Sequence, residues 1–191
     1  NVLKVDLTLE IASVALSLVY LFLLMRENIL CWLFGIAGSL TSILLFYRSG
    51  LYSESVLYAY YVLIGVYGFY LWNKKSGDDG ELLKVSDLSL SDFAALLTFG
   101  ASGVLLVGYL FDTFTDAAAP YLDAATTVFS FIASYLEARK ILSSWKFWIV
   151  INGVTLFLYW GVDLEIYFFL TVVNLVYSFI GYNQWRKKIL P

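Results

Sequence analysis

Seven long stretches without Asp, Glu, Lys or Arg dominate this sequence and limit the folds open to it: residues 11–25, 28–47, 55–73, 93–111, 124–136, 147–162 and 166–185. The hydrocarbon core of a bilayer is spanned by roughly 20 mostly apolar residues in a helix. Lipid leaves an open strand edge unsatisfied, and the stretches lack the alternation of a membrane barrel. With 61% hydrophobic and 14% charged residues, the chain is predicted to be an all-α integral membrane protein with seven transmembrane helices. We expect the short first and fifth stretches to extend into their flanks.

The two ends of the chain repeat each other at a spacing of 113 residues. At this spacing identical residues pair without a gap: Arg26 with Arg139, Trp32 with Trp145, Phe34 with Phe147, Leu51 with Leu164, Gly68 with Gly181 and Trp72 with Trp185. Helices one to three should therefore recur as helices five to seven. Repeats four spans apart enter the membrane in the same direction, which predicts two parallel three-helix repeats joined by a linker helix (3+1+3).

This duplication divides the chain into three predicted segments. Residues 1–75 form the first three-helix bundle, 76–111 an inner loop and the linker helix, and 112–191 an outer loop and the second bundle. We interpret the loop at 76–90, rich in Gly, Asp and Glu, as solvated and without a partner.

The basic residues predict the orientation of the chain. Ten of the 12 Lys and Arg residues fall in the connections after helices one, three and five or at the C-terminus; only Lys4 and Arg48 fall on the other face. Because loops rich in Lys and Arg stay in the cytoplasm, we expect the C-terminus inside and the N-terminus outside.

The residue types that are missing exclude several functions. The chain has no His and one Cys, Cys31, so an internal disulfide, a cysteine metal cluster and a histidine base are ruled out. No ionisable side chain lies near the middle of any stretch, whereas acid–base catalysis and proton relays need one. We therefore expect no enzyme, catalytic residue, metal, cofactor or nucleic-acid partner, and transport by facilitated diffusion (uniport).

The sixth helix carries the clearest candidate site. Trp145, Trp148 and Asn152 follow i, i+3, i+7 spacing and share one helical face. Flat indole rings beside an amide suit an aromatic ligand with polar groups, and indole faces also attract a cationic ring. In the alternative interpretation there is no ligand site: Trp145 anchors the helix at the membrane interface, and Asn152 forms a hydrogen bond to another helix.

Further candidates come from the repeat and from polar residues inside other spans. In the first repeat Trp32, Gly35 and Ser39 occupy the places of Trp145, Trp148 and Asn152, which predicts an asymmetric site. The other candidates are polar or aromatic side chains within helices seven, three and five: Asn174, Tyr177, Tyr58, Tyr61 and Thr127. Small hydroxyl residues such as Thr127 more often serve helix packing than ligand contact, so packing is the favoured alternative for it.

Several segments resemble the PnuC-type vitamin transporter family: WLFGIAGS at 32–39, LYSESVLYAYYVLIGVYGFYLW at 51–72, DAATTVFSFIASYLEARK at 123–140 and above all WKFWIVIN at 145–152. The resemblance implies a SWEET-like fold and uptake of the vitamin nicotinamide riboside across the bacterial cell inner membrane by alternating access. It further implies a homotrimer, and trapping of the substrate through phosphorylation by a cytoplasmic kinase. Trp145, Trp148 and Asn152 match the ligand-contacting motif of the family.

One position departs from the family pattern. Tyr58 stands where the resemblance leads us to expect Gln in nicotinamide riboside carriers, which leaves thiamine, or another vitamin or nucleoside, as the alternative substrate. Asn152 favours nicotinamide riboside, because thiamine-type members tend to have an acidic residue there.

Overall fold

The computed structural model describes residues 7–48, 52–74, 81–115, 119–159 and 165–189. Within these ranges the chain forms seven helices: α1 Leu7–Met25, α2 Leu30–Arg48, α3 Tyr52–Asn73, α4 Leu90–Phe114, α5 Pro120–Ala138, α6 Ser143–Tyr159 and α7 Glu165–Ile189. The predicted all-helical fold is confirmed. As expected, α1 and α5 extend beyond their charge-free stretches, and α5 begins with a proline, which suits the first turn of a helix.

The helices divide between two compact units, Asn1–Lys84 and Val85–Pro191. In the first unit α2 packs against both α1 and α3; in the second, α4 packs on α5, α5 on α6 and α6 on α7. Contacts thus group α4 with the three helices that follow it. The division into three segments stays a prediction.

Three described helices, α1, α2 and α4, are long and apolar enough to cross a membrane. Large apolar side chains are exposed along α4, among them Phe99, Leu105 and Phe114. Extensive apolar surface of this kind is rare on soluble monomers, so the outside of α4 suits lipid.

The turn between α1 and α2 has the same backbone structure as the turn between α5 and α6. Glu27 and Lys140, 113 residues apart, both adopt the left-handed conformation with φ of 54°. The N–H of Glu27 donates to the Leu24 carbonyl at 2.9 Å, and the N–H of Lys140 donates to the Glu137 carbonyl at 3.0 Å. A left-handed residue after the last helical turn is a common way to end a helix, and here both bundles use it at matching positions.

The segment before α4 is hydrogen-bonded to the α5–α6 turn. The N–H of Ser86 donates to the Lys140 carbonyl at 3.1 Å, and the N–H of Leu142 donates to the Ser86 carbonyl at 2.8 Å. We call residues 86–88 the linker strap. The interpretation of residues 76–90 as a loop without a partner is therefore wrong at 86–88, because backbone groups of the α5–α6 turn pair with it.

Asp87 of the strap caps the N-terminus of α6. Its Oδ1 accepts the backbone N–H of Ser143 at 3.0 Å, and its Oδ2 lies 3.0 Å from Nζ of Lys146. Partial burial acts to raise the pKa of Asp87, but the hydrogen bonds from Ser143, Lys146 and Leu88 and the positive charge of Lys146 outweigh it, leaving the pKa below its ordinary value. A negative charge at this position stabilises the start of α6.

Candidate functional site

The α6 face predicted from the sequence exists, but its residues lie in different surroundings. Trp145, Trp148 and Asn152 all fall within the helix Ser143–Tyr159, so the predicted spacing applies. Trp145 is fully buried, whereas Trp148 and Asn152 keep part of their surface accessible. Only the last two have surface available to a ligand in this conformation.

Trp145 packs inside its own bundle. Its ring meets Trp185 of α7 edge-on, with centroids 5.4 Å apart and an interplanar angle of 89°. On its other side Gly181 lies so close that a Cβ there would be 2.5 Å from Cη2 of Trp145. Trp145 thus fills the contact between α6 and α7, and the sequence-based interpretation of it as an interfacial anchor is wrong because no part of it is exposed.

Trp32 has the same surroundings in the first bundle. It is 2% exposed, meets Trp72 edge-on at 5.4 Å and 86°, and lies against Gly68, where a Cβ would be 2.4 Å from Cζ2 of Trp32. Tyr20 of α1 covers it at a centroid distance of 6.0 Å. Each bundle therefore contains a tryptophan pair closed by a glycine.

Trp148 lies at the edge of the second bundle's hydrophobic core. It packs against a cluster formed by Ile132, Ala133, Leu136, Ile141, Phe147 and Ile151. Within the part of the chain that the structure describes, its indole N–H is buried and has no hydrogen-bond partner. Because the ring is only partly covered, its remaining surface is free to stack on a flat ligand.

Asn152 joins α6 to α7 through a short chain of hydrogen bonds. Its Nδ2 donates to Oγ of Ser178 at 3.2 Å, and that hydroxyl donates to the backbone carbonyl of Asn174 at 2.7 Å. The helix-to-helix bond that the sequence left open is present. Ser178, which was not among the candidates, lies one helical turn after Asn174, so that spacing could have identified it.

The remaining candidates of the second unit lie on its other helices. Asn174 and Tyr177 on α7 and Thr127 on α5 are half-buried. Of these, Asn174 connects to Asn152 through Ser178.

In the first bundle, Tyr58 and Tyr61 form one aromatic group on α3. Tyr58 stacks on Phe46 of α2, with centroids 5.3 Å apart and planes at 24°, and meets Tyr61 edge-on at 5.6 Å. Ser39, the counterpart of Asn152, is buried within α2. At these positions the first bundle thus has a group of packed aromatic rings rather than the amide–hydroxyl chain of the second.

Comparisons with known proteins give one consistent result. The sequence model of the nicotinamide mononucleotide transporter family matches residues 7–187. The nicotinamide riboside transporter PnuC of Escherichia coli (strain K12) is 22% identical over 191 residues, covering 85% of this chain and 80% of its own. The protein of that name from Neisseria mucosa is 29% identical over 168 residues, covering 83% of this chain and 64% of its own.

A solved structure described as the vitamin B3 transporter PnuC has a similar fold. It superposes with a TM-score of 0.76 at 22% identity, covering 97% of this chain and 83% of the other. A likeness at this identity concerns the fold, and its coverage extends over both units.

Proposed function

The chain belongs to the nicotinamide mononucleotide transporter family, and on that premise we propose that it carries nicotinamide riboside across the bacterial inner membrane by facilitated diffusion. As a member of this family it is a membrane transporter and not an enzyme. One observation supports the substrate most directly: a partly exposed indole and an amide anchored by a hydroxyl, Trp148 and Asn152, lie one turn apart on α6.

These two residues match the chemistry of the proposed substrate. Nicotinamide riboside has a flat, positively charged ring, which is attracted by the face of an indole. It also has a carboxamide and hydroxyls that an amide can bind. We assign substrate contact to Trp148 and Asn152, with Asn174, Tyr177 and Thr127 as further candidates in the same unit. Trp145 is fully buried against Trp185 of α7, and we assign it to packing between α6 and α7.

In the first bundle, we propose Tyr58 and Tyr61 as the ligand-contacting residues. Ser39 and Trp32 are more deeply buried there, and we assign them to packing between the helices of the first bundle.

We propose that the two bundles are parallel repeats joined by α4 in a 3+1+3 arrangement. The support is that α2 begins at residue 30 and α6 at residue 143, a spacing of 113, and that Glu27 and Lys140, also 113 residues apart, share a φ of 54° in the turns before these helices. The C-terminus would be cytoplasmic and the N-terminus outside, and transport would proceed by alternating access. We further propose that a cytoplasmic kinase traps the imported substrate by phosphorylating it and that the protein assembles as a homotrimer.

Thiamine is the alternative substrate. Tyr58, stacked on Phe46 and edge-on to Tyr61, adds an aromatic surface in the first bundle. Thiamine has two aromatic rings, either of which could stack on such a surface.

The test is uptake into proteoliposomes with labelled nicotinamide riboside and labelled thiamine in parallel, without any ion gradient. We expect nicotinamide riboside to equilibrate, and replacement of Trp148 or Asn152 by Ala to abolish most uptake. Phe157→Ala is the matched control, because it also removes a ring from α6 but at an exposed position. Equilibration of thiamine alone would favour the alternative, and uptake that requires a proton or sodium gradient would contradict uniport.

A further inference from the structure

The hydroxyl of Ser178 determines which end of the Asn152 amide is available to a ligand. Ser178 donates its only hydroxyl proton to the Asn174 carbonyl, at an oxygen–oxygen distance of 2.7 Å. The hydroxyl oxygen can then only accept a further hydrogen bond. The group of Asn152 that faces it at 3.2 Å must therefore be the NH₂ donor and not the carbonyl oxygen.

The two ends of a planar amide point in different directions, so Oδ1 of Asn152 points away from the Ser178 hydroxyl. A ligand that reaches Asn152 meets this carbonyl oxygen and at most one remaining N–H. The orientation of an amide is assigned from its hydrogen-bond partners. Here the Ser178 proton is already donated to the Asn174 carbonyl, so only the NH₂ end of Asn152 can face the Ser178 oxygen.

The second bundle alone has this arrangement. In the first repeat Ser39 stands in place of Asn152 and Gly65 in place of Ser178. The first repeat therefore has no amide at the Asn152 position and no hydroxyl at the Ser178 position. The hydrogen bond that fixes the orientation of the Asn152 amide therefore belongs to the bundle that carries Trp148.

We infer that Ser178 is a positioning residue that selects for a ligand with a hydrogen-bond donor, such as a primary carboxamide, over the corresponding carboxylate. The inference rests on the proposed function, since it concerns the same site. A carboxamide donates an N–H to Oδ1 of Asn152. A carboxylate has only acceptor oxygens, which Oδ1 repels.

The experiment compares two ligands that differ only in this group, nicotinamide riboside and nicotinic acid riboside. Binding of both to the purified protein is measured by calorimetry for the wild type, Ser178→Ala and Ser178→Thr. In Ser178→Ala the Asn152 amide is free to turn, and we expect the preference for the amide ligand to fall about fivefold, the ratio produced by one hydrogen bond of ordinary net strength. Ser178→Thr keeps a hydroxyl able to donate to the same carbonyl and should restore the preference.

Ser134→Ala is the matched control. Ser134 is also buried and also donates to the carbonyl four residues earlier, that of Ser130 at 2.8 Å. It lies on α5 and makes no hydrogen bond to Asn152, so its replacement should leave the ligand preference unchanged.

A second variant tests the orientation without removing Ser178. Asn152→Asp keeps an acceptor toward the ligand and loses the NH₂ group. We expect it to retain binding of nicotinamide riboside better than Asn152→Leu, which has no polar atom.

Several results would overturn the inference: an unchanged ligand preference in Ser178→Ala, equal weakening of both ligands, or an Asn152→Asp variant no better than Asn152→Leu. In each of these cases wild-type binding remains and the proposed function survives. A wild type that binds neither riboside would overturn the proposed function and the inference together.

Discussion

Replacing Gly181 by Ala should destabilise the second bundle, because the added methyl group has no space. A Cβ at this position would lie 2.5 Å, 2.6 Å and 2.7 Å from Cη2, Cζ2 and Cζ3 of Trp145. The ring cannot easily move away, since it is fully buried and Trp185 lies against it at 5.4 Å.

The expected size of the effect follows from two opposing terms. Overpacking a well-filled core typically costs about 1–3 kcal/mol. Exchanging Gly for Ala inside a helix recovers about 0.5–1 kcal/mol. The net loss should be about 1–2 kcal/mol, and for a chain of this size each kcal/mol lowers Tm by about 2–4 °C.

Thermal unfolding in detergent, followed by intrinsic tryptophan fluorescence, measures the change. Gly153→Ala in α6 is the matched control, because nothing lies within 4 Å of a Cβ built there. It should raise Tm slightly through helix propensity alone. Trp145→Phe, which shrinks the ring, should rescue part of the loss when combined with Gly181→Ala.

A Gly181→Ala variant that melts at or above the wild-type temperature would contradict a steric overlap with Trp145. Equal destabilisation of Gly153→Ala and Gly181→Ala would also contradict it, since the effect would then not come from contact with Trp145.

The remaining predictions concern Asp87, the two tryptophans Trp145 and Trp148, and Cys31. Asp87→Ala should lower the free energy of unfolding by about 1 kcal/mol, because it removes the cap of α6. The ion pair with Lys146 adds little, because the Lys146 and Asp87 side chains are 41% and 27% exposed. Because the folded-state pKa of Asp87 is lowered, its stabilisation is complete above the unfolded-state pKa of about 4 and lost as the pH falls through the folded-state value; melting curves of wild type and variant should therefore converge in acid. Trp145→Ala should lower the free energy of unfolding by about 3–5 kcal/mol. Trp148→Ala should lose less stability but also lose substrate binding; melting curves measure the first effect and calorimetry the second. Cys31, fully buried, should resist maleimide in the folded protein and react on heating, so labelling at native temperature would contradict the packing of the first bundle.

The sequence predicted the helices well because charged residues end them. It placed several helix starts too late, and α5 shows why. Pro120 and Asp123 lie in its first turn, where a proline and an acidic residue are both favourable, but a search for charge-free stretches stops at Asp123. The same applies to α6, whose first turn includes Lys146.

The candidate site was predicted only in part, because helical spacing indicates a shared face but not depth. Trp145 and Trp148 share a face of α6, yet Gly181 lets α7 approach the first and bury it completely. The repeat contained this information, since Trp32 and Gly68 recur together. Ser178 was missed because a serine in a membrane helix is usually explained by packing.

The linker strap implies an order of assembly for the two bundles. The first N–H of α2 is accepted by the side chain of Asn28, two residues away, at 3.0 Å. The first N–H of α6 is accepted by Asp87, which lies 56 residues earlier in the chain. During synthesis, α2 can complete its first turn as soon as it emerges, whereas α6 must find an acceptor made before α4. The first bundle should therefore mature early, and the second only after a long-range closure.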